Sequence, residues 1–346
     1  MADKKDAFVY SDEIRKLRNH TFSRLYLLYG QEEYLKEVFA GEIRKAILPE
    51  GDDAFSYKRF SDSDFEVSDI AEAVDAVPFL SESTLVEIRD FDINRYGEQL
   101  LQVVSDIPDY CTVVFIQNSE YVPDFRLKFN KYLRDHYSVF NITVQGQNEL
   151  ALWIRKRFAA EGKNIDREAA ELLIFLSGSS MNGLIPEIKK IASSVSADTV
   201  TAGDVSRYAH HLPEADVFEM VSCLSQGRTK KGVSMLSELI DSRSEDPIKL
   251  LAIIASEYKR LYAVYMAKKH NKGAAWLMSA EAAKQDWLAR KMLNAPLKYT
   301  EEQFENIQNM LTDADFKMKT GYGDNSDILM DVLIFLTSEV TNVKDR

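Results

Sequence analysis

Leu25-Tyr-Leu-Leu-Tyr-Gly-Gln-Glu-Glu-Tyr-Leu-Lys-Glu-Val38 is the stretch around which the chain is organised. It opens as an apolar run, Leu25 to Tyr29, rich in strand-favouring residues and too short for a helix. Gly30 breaks the run. After Gln31, Glu32 and Glu33 then supply acidic groups suited to a first helical turn, where the helix dipole favours negative charge. Tyr34, Leu35, Val38 and Phe39 follow at helical spacing. Strand, tight turn and helix in that order form the opening unit of an α/β nucleotide-binding domain.

A working phosphate loop at this turn would read G-x-x-x-x-G-K-[ST], its glycines opening backbone N–H groups to phosphate oxygens and its lysine adding positive charge. Here Gly30 alone remains, the turn reads as short, and no lysine is found at the critical place. Glu32 and Glu33 stand where a phosphate needs cations. A close like-charged pair near a protein surface costs roughly 4 kcal/mol. Position points to a nucleotide site, and chemistry points to an ordinary strand–helix turn.

Outward from this unit, strands alternate with helices. Tyr10–Leu17 reads as a short amphipathic helix before the first strand, and the helix after Gly30 runs through Ile43 and Ile47 to a stop at Pro49-Glu-Gly51. Phe55–Phe60 alternates as a strand, Ser68–Val74 is helical with Ser68 as candidate N-cap, and Thr84–Ile88 is a strand. Between the last two lies Val77-Pro-Phe-Leu80, an apolar tip in a connection that would normally be polar. It either folds back as a core plug or meets a partner. Leu100–Ile107 is helical. Cys111–Ile116 is a near-continuous apolar strand, suited to a sheet covered on both faces. Gln117-Asn-Ser-Glu120 follows it, where many ATPases of this architecture place an acidic metal-site residue. Phe125–His136 is a basic helix and Phe140–Val144 closes a mostly parallel sheet.

From Asn148 the periodicity becomes helical and strand patterns vanish. Short helices over Leu150–Phe158, Arg167–Leu176 and Leu184–Val195, and one starting at Thr201, make a small bundle; Pro213 marks the next boundary, beyond which everything reads as helix. The expected domains are 1–146, α/β; 147–212, a small helical domain; and 213–346, a second helical domain.

Composition narrows the function classes. A net charge of −12 limits nucleic-acid contact to local patches or to surfaces shared with other chains. No apolar run is long enough to span a bilayer, and the N-terminus lacks the apolar core of a signal peptide, so a cytoplasmic protein with no membrane contact is expected. Cys111 and Cys223 lie far apart in apolar segments and read as buried free thiols. His210-His211 reads as surface or loop. There is no G-x-S-x-G, no H-E-x-x-H and no cysteine cluster, so hydrolase and metal chemistry find no support, and no catalytic residue, cofactor or metal is expected.

Taken together, Leu25–Leu35, Val77-Pro-Phe-Leu-Ser-Glu-Ser-Thr-Leu-Val86, Glu187-Ile-Lys-Lys-Ile191, Asp216-Val-Phe-Glu-Met220 and Leu311–Gly321 resemble the delta subunit of bacterial DNA polymerase III, part of the sliding-clamp loader of DNA replication. Each stretch is weakly specific; their order and spacing over nearly the whole chain carry the likeness. The resemblance implies an AAA+-like parallel-sheet N-terminal domain that has lost nucleotide binding, a helical lid and a helical collar joining a hetero-pentamer of loader subunits. ATP would act in sister subunits. It also implies that a hydrophobic tip opens the ring-shaped clamp, the beta subunit. The matching residues are Val77, Pro78, Phe79 and Leu80, of which Phe79 is the safest transfer.

Primer–template DNA would be met through the assembled complex. Lys317, Lys319 and Tyr322 near a collar turn are the candidate direct contacts, with Tyr322 able to stack on an unpaired base. Other local basic groups, among them Arg155-Lys-Arg157 and Lys268-Lys269, read as solvated helix faces. Two alternatives stand beside this reading: an atypical AAA+ ATPase, and a non-enzymatic helical scaffold of another complex.

Overall fold

A computed structural model of the chain describes residues 9–48, 55–61, 65–79, 81–241, 246–283 and 286–341. The chain divides into two compact units, one of Met1–Gln145 with Ser180–Asn182, the other of Gly146–Ser179 and Gly183–Arg346.

The first unit runs α1 (Tyr10–Arg18), β1 (Leu25–Tyr29), α2 (Glu33–Ile47), β2 (Tyr57–Phe60), α3 (Val67–Asp75), β3 (Thr84–Arg89), α4 (Ile93–Val104), β4 (Cys111–Ile116), α5 (Lys128–His136), β5 (Ser138–Asn141). Its five strands are ordered β2-β3-β4-β1-β5. Every pairing is parallel, as Leu27 opposite Phe115 and Val86 opposite Val113 illustrate. A helix between each pair of successive strands requires this arrangement. Burial on both faces explains the unbroken apolar runs of β1 and β4. On one face Leu25, Leu27, Val113 and Phe115 meet Leu100, Val104, Phe129 and Leu133. On the other, the Phe39 ring stands edge-on to Tyr26 and Phe140.

Because all strands run one way, the sheet has two chemically distinct ends. The turn after β1 and Gln117 after β4 lie at the carboxyl ends of the strands, where ligands bind in open α/β folds. Phe55 and Ser56, before β2, and residues 76–79 and 81–83, before β3, lie at the opposite end.

The second unit is mainly helical: α6 (Gln147–Ala160), α7 (Arg167–Ser177), α8 (Met181–Ser194, from Gly183 on), α9 (Ala202–Tyr208), α10 (Pro213–Ser225), α11 (Thr229–Asp241), α12 (Pro247–Lys269), α13 (Ala274–Ser279), α14 (Asp286–Asn294), α15 (Glu301–Thr320) and α16 (Asn325–Thr341). Strand pairing does not vanish after Asn148, as the periodicity suggests. β6 (Asn164–Ile165) and β7 (Thr199–Val200) form a parallel pair, too short to show a period. The Asp204 carboxylate of α9 accepts the Thr201 N–H at 2.9 Å, closing a capping box. The core gathers Met220, Ile254, Ile307, Leu311, Val332 and Leu336 from α10, α12, α15 and α16. Phe175 of α7 stands edge-on to Phe218 of α10 at 5.0 Å and to Trp287 of α14 at 6.1 Å, so segments on both sides of Pro213 pack into one unit.

Several boundaries move. The N-cap of α3 is Glu66 and not Ser68: the Glu66 N–H bonds the Asp69 carboxylate at 2.7 Å, starting the helix one residue earlier. Asp92 caps α4 by accepting from the Arg95 N–H, so that helix begins at Ile93, well before Leu100. β5 begins at Ser138. The expected helix stop at Pro49–Gly51 lies outside the described residues. Both cysteines are buried free thiols, and burial pushes the Cys111 thiol up to about 11. His210 and His211 lie in the segment between α9 and α10, and His211 Nδ1 is 3.0 Å from Asp216 Oδ1.

Candidate functional site

At the carboxyl end of β1, Gly30 takes φ +112°, a conformation side chains avoid. A Cβ there would lie 2.5 Å from the Ile142 carbonyl oxygen, so the turn is pressed against the segment after β5. The Glu32 N–H donates to that same carbonyl at 3.0 Å and is thereby spent on the protein itself. Glu32 is buried, and the loss of water raises its carboxyl above the usual range.

A lysine does stand at the matching place, in the first turn of α2. Lys36 stands six residues after Gly30, the spacing of lysine in G-x-x-x-x-G-K-[ST], and it corrects the expectation that the critical place holds none. Its side chain is fully buried, and its ammonium donates to Glu33 Oε1 at 2.9 Å and to the Gln117 carbonyl at 2.6 Å. Gln117 is anchored in turn, its Nε2 donating to the Phe91 carbonyl at 3.0 Å. The next residue, Glu37, occupies the hydroxyl position of the pattern. Arg89 at the end of β3 grips it with two guanidinium nitrogens, and this pair holds the Glu37 carboxyl below its usual range. Arg89 Nε also reaches Glu87 Oε1 at 2.7 Å. The groups at the phosphate and metal positions of the pattern are therefore each bonded within the protein, Lys36 to Glu33 and Gln117, and Glu37 to Arg89.

At the opposite end of the sheet, α3 stops at Asp75 and Ala76 turns to extended backbone. Pro78, which has no N–H to continue a helix, follows. Val77 and Phe79 are 74% and 76% exposed, so Phe79 is not a core plug. Leu80, the fourth residue of the tip, lies outside the described residues. The connection is held from both sides. The Tyr110 hydroxyl donates to the Asp75 carbonyl at 3.2 Å, and Ser81 Oγ lies 2.6 Å from Ser56 Oγ and donates to the Ser83 carbonyl at 2.7 Å. Sequence reasoning missed Phe55, which is 65% exposed with its ring centroid 5.9 Å from that of Phe79.

In the helical unit, Lys317 and Lys319 lie in the last turn of α15 and pair with Asp313 and Asp315 at 2.7 and 2.8 Å. Gly321 ends the helix with φ +71°, and Tyr322 follows at 74% exposure. The structure thus brings Lys317, Lys319 and Tyr322 to one helix end, with both cations offset by neighbouring carboxylates. Among the described residues, no cluster of histidine, cysteine or carboxylate side chains is arranged to hold a metal ion. No described helix is long and apolar enough to cross a membrane.

Comparison with known proteins adds a second line. Residues 26–143 match the family described as DNA polymerase III, delta subunit, and residues 214–336 match the DNA polymerase III delta subunit, C-terminal domain. The DNA polymerase III subunit delta of Bacillus subtilis is 23% identical over 331 residues, spanning 92% of this chain and 94% of that one. A probable DNA polymerase III subunit delta of Aquifex aeolicus is 26% identical over 189 residues, covering 54% of this chain and 53% of its own length. Among solved structures, the Bacillus subtilis DNA clamp loader delta protein superposes with a TM-score of 0.54 at 20% identity, covering 95% of this chain and all of that one.

Proposed function

The chain belongs to the DNA polymerase III delta subunit family, and from that premise we propose that it is the clamp-loader subunit that binds and opens the ring-shaped sliding clamp, without binding or hydrolysing ATP itself. One observation carries the clamp-binding part: the apolar tip with Val77 and Phe79 turned to solvent on a connection fixed at both flanks. A loose apolar loop would collapse onto the core; a held one presents an anchor to a pocket. Such buried aromatic anchors are the usual binding hot spots, worth about 2–4 kcal/mol on truncation. Opening the ring requires that the tip bind the open or monomeric clamp better than the closed ring, and it can shift the equilibrium only by that difference.

The absence of ATP chemistry is supported by Lys36 and Glu37, whose polar groups are engaged by Glu33, Gln117 and Arg89. A nucleotide would have to break these bonds and face Glu32 and Glu33. We assign the remaining partners as the other loader subunits of a hetero-pentamer, contacted through the collar, in the cytoplasm, with three functional domains at 1–146, 147–212 and 213–346. Primer–template DNA is met in the assembled complex. Of the three candidate contacts there, Tyr322 is favoured because both lysines already have acidic partners.

The test is binding to the purified cognate clamp without ATP, comparing the unmodified chain with Phe79→Ala. A loss of tenfold or more, about 1.4 kcal/mol, is expected. Binding that Phe79→Ala leaves unchanged would remove the tip from the reading. A chain that ignores the clamp, both alone and with the other loader subunits, would overturn the function. Tight magnesium-dependent ATP binding would favour the ATPase alternative.

A further inference from the structure

We infer that Phe55, from the connection before β2, is a second anchor of the clamp-binding surface, and that Phe55 and Phe79 enter one apolar pocket of the clamp as a two-ring platform. This rests on the tip reading above and extends it to a part of the chain that is distant in sequence.

Both rings are large, apolar and mostly exposed, at 65% and 76%, and their centroids are 5.9 Å apart at an interplanar angle of 54°. Offset and tilted rings at this spacing form one contiguous apolar face, and Val77, two residues before Phe79, is exposed as well. The juxtaposition is built in. β2 and β3 are parallel neighbours, with Tyr57 opposite Leu85, so the segments leading into them emerge side by side. The Leu85 N–H donates to the Ser56 carbonyl at 2.8 Å, and the two serine hydroxyls of Ser56 and Ser81 bond at 2.6 Å. Ser56 is itself buried, so the residue bearing Phe55 is fixed to the loop bearing Phe79. The backbone segments that carry the two rings are thus held side by side before a partner arrives, which lowers the ordering cost of binding.

Exposed carboxylates flank the tip in the chain, Glu72 and Asp75 on α3 before it and Glu82 just past it. The occupant that fits is an apolar pocket wide enough for two rings and rimmed by Lys or Arg. These carboxylates would steer such a pocket inward during encounter.

The experiment measures affinity for the purified cognate clamp with the full chain carrying Phe55→Ala, Phe79→Ala or both. Each variant is first checked by circular dichroism and thermal melting; both rings are exposed, so the folds should be retained. Phe55→Ala is expected to weaken binding at least fivefold. Because the rings share one pocket, the double variant should lose less than the product of the two single losses. A photoactivatable benzophenone side chain at position 55 should crosslink to the clamp, a readout that a merely supportive role under Phe79 would not give. Glu82→Lys should slow association at low salt, with the difference fading at high salt.

If Phe79→Ala loses tenfold while Phe55→Ala binds like the parent and position 55 gives no crosslink, the two-ring platform is wrong and the tip reading survives. Losses that multiply in the double variant would replace the single pocket with two independent contacts. An association rate unchanged by Glu82→Lys would remove the basic rim. If neither ring matters, or the clamp is not bound at all, both readings fall together.

Discussion

Replacing Lys36 tests whether the bonds of a buried ammonium outweigh the cost of burying it. Lys36→Met keeps the length and apolar stem of the side chain and removes its charge. Three terms set the size. The first is the charge-assisted bond to the Gln117 carbonyl at 2.6 Å, whose loss leaves a buried acceptor unpaired at about 1–3 kcal/mol. The second is the pair with Glu33. That carboxylate is 41% exposed and rehydrates when abandoned, so its share stays below about 1 kcal/mol. The third has the opposite sign, since methionine no longer carries a charge out of water. Gln117 is fixed by its bond to the Phe91 carbonyl and cannot swing to another donor, so the first term dominates and Lys36→Met should destabilise the N-terminal unit by about 2 kcal/mol. Lys36→Ala also deletes buried methylenes and leaves a cavity, which raises the loss to about 4 kcal/mol. Glu33→Gln should cost less than about 1 kcal/mol. Tryptophan fluorescence would not follow this, because Trp153, Trp276 and Trp287 all lie in the helical unit. The assay is hydrogen exchange of peptides from β1 and β4, whose amides open only with the sheet. A Lys36→Met chain as protected as the parent would refute the reasoning, because desolvation would then cancel the bonds.

Gly30→Ala should cost about 3 kcal/mol or more, read by the same exchange experiment, because φ is +112° and the new Cβ would meet the backbone carbonyl of Ile142 at 2.5 Å. In the helical unit, burial raises the Glu257 carboxyl from 4.5 to about 7 despite the Arg260 guanidinium at 2.6 Å. A raised acid keeps its proton in the folded state after the unfolded chain has lost it. Its favourable contribution is therefore full below the unfolded value of 4.5 and falls away as pH rises toward 7, by a total of about 3 kcal/mol. Urea unfolding followed by tryptophan fluorescence should show this slope in the parent and its loss in Glu257→Gln; equal slopes would assign the pH dependence to other groups. In the assembled loader, Tyr322→Ala should weaken primer–template binding with little effect on its salt dependence, whereas Lys317→Ala or Lys319→Ala should change it little, because each lysine is already ion-paired.

Most of the fold was legible because the deciding patterns are local. Leu25–Tyr29 is a strand at the boundaries its apolar run suggests, and Cys111–Ile116 is buried at every position, as an unbroken apolar run in a parallel sheet must be. Gly30 marked its turn because only glycine tolerates that backbone. The readings that failed depended on partners distant in sequence or on side chains that could act in two ways. Glu66 carries no conventional capping residue type, so Ser68 drew attention two positions too late. The β6–β7 pair has two residues per strand and no period to read.

The candidate-site residues follow the same rule. A lysine in an amphipathic helix reads as solvent-facing, and what buries Lys36 is a carbonyl 81 residues away; Glu37 is claimed by Arg89, 52 residues away. The tip shows both sides of this. Pro78 announces locally that α3 must stop, and an apolar Phe79 beyond it is visible in the sequence. Whether that ring folds inward is decided elsewhere, by the Ser56–Ser81 bond between segments 25 residues apart and by the parallel pairing that sets Ser56 beside the tip. Exposure of Phe79 is thus a property of the sheet, transmitted through β2 and β3 to its amino end, while other bonds hold the turn after β1 at the carboxyl end. The same parallel sheet thus has two unlike ends: at the carboxyl end Lys36 and Glu37 are bonded to Glu33, Gln117 and Arg89, and at the amino end Val77, Phe79 and Phe55 stand exposed, the kind of apolar surface that marks an interaction site.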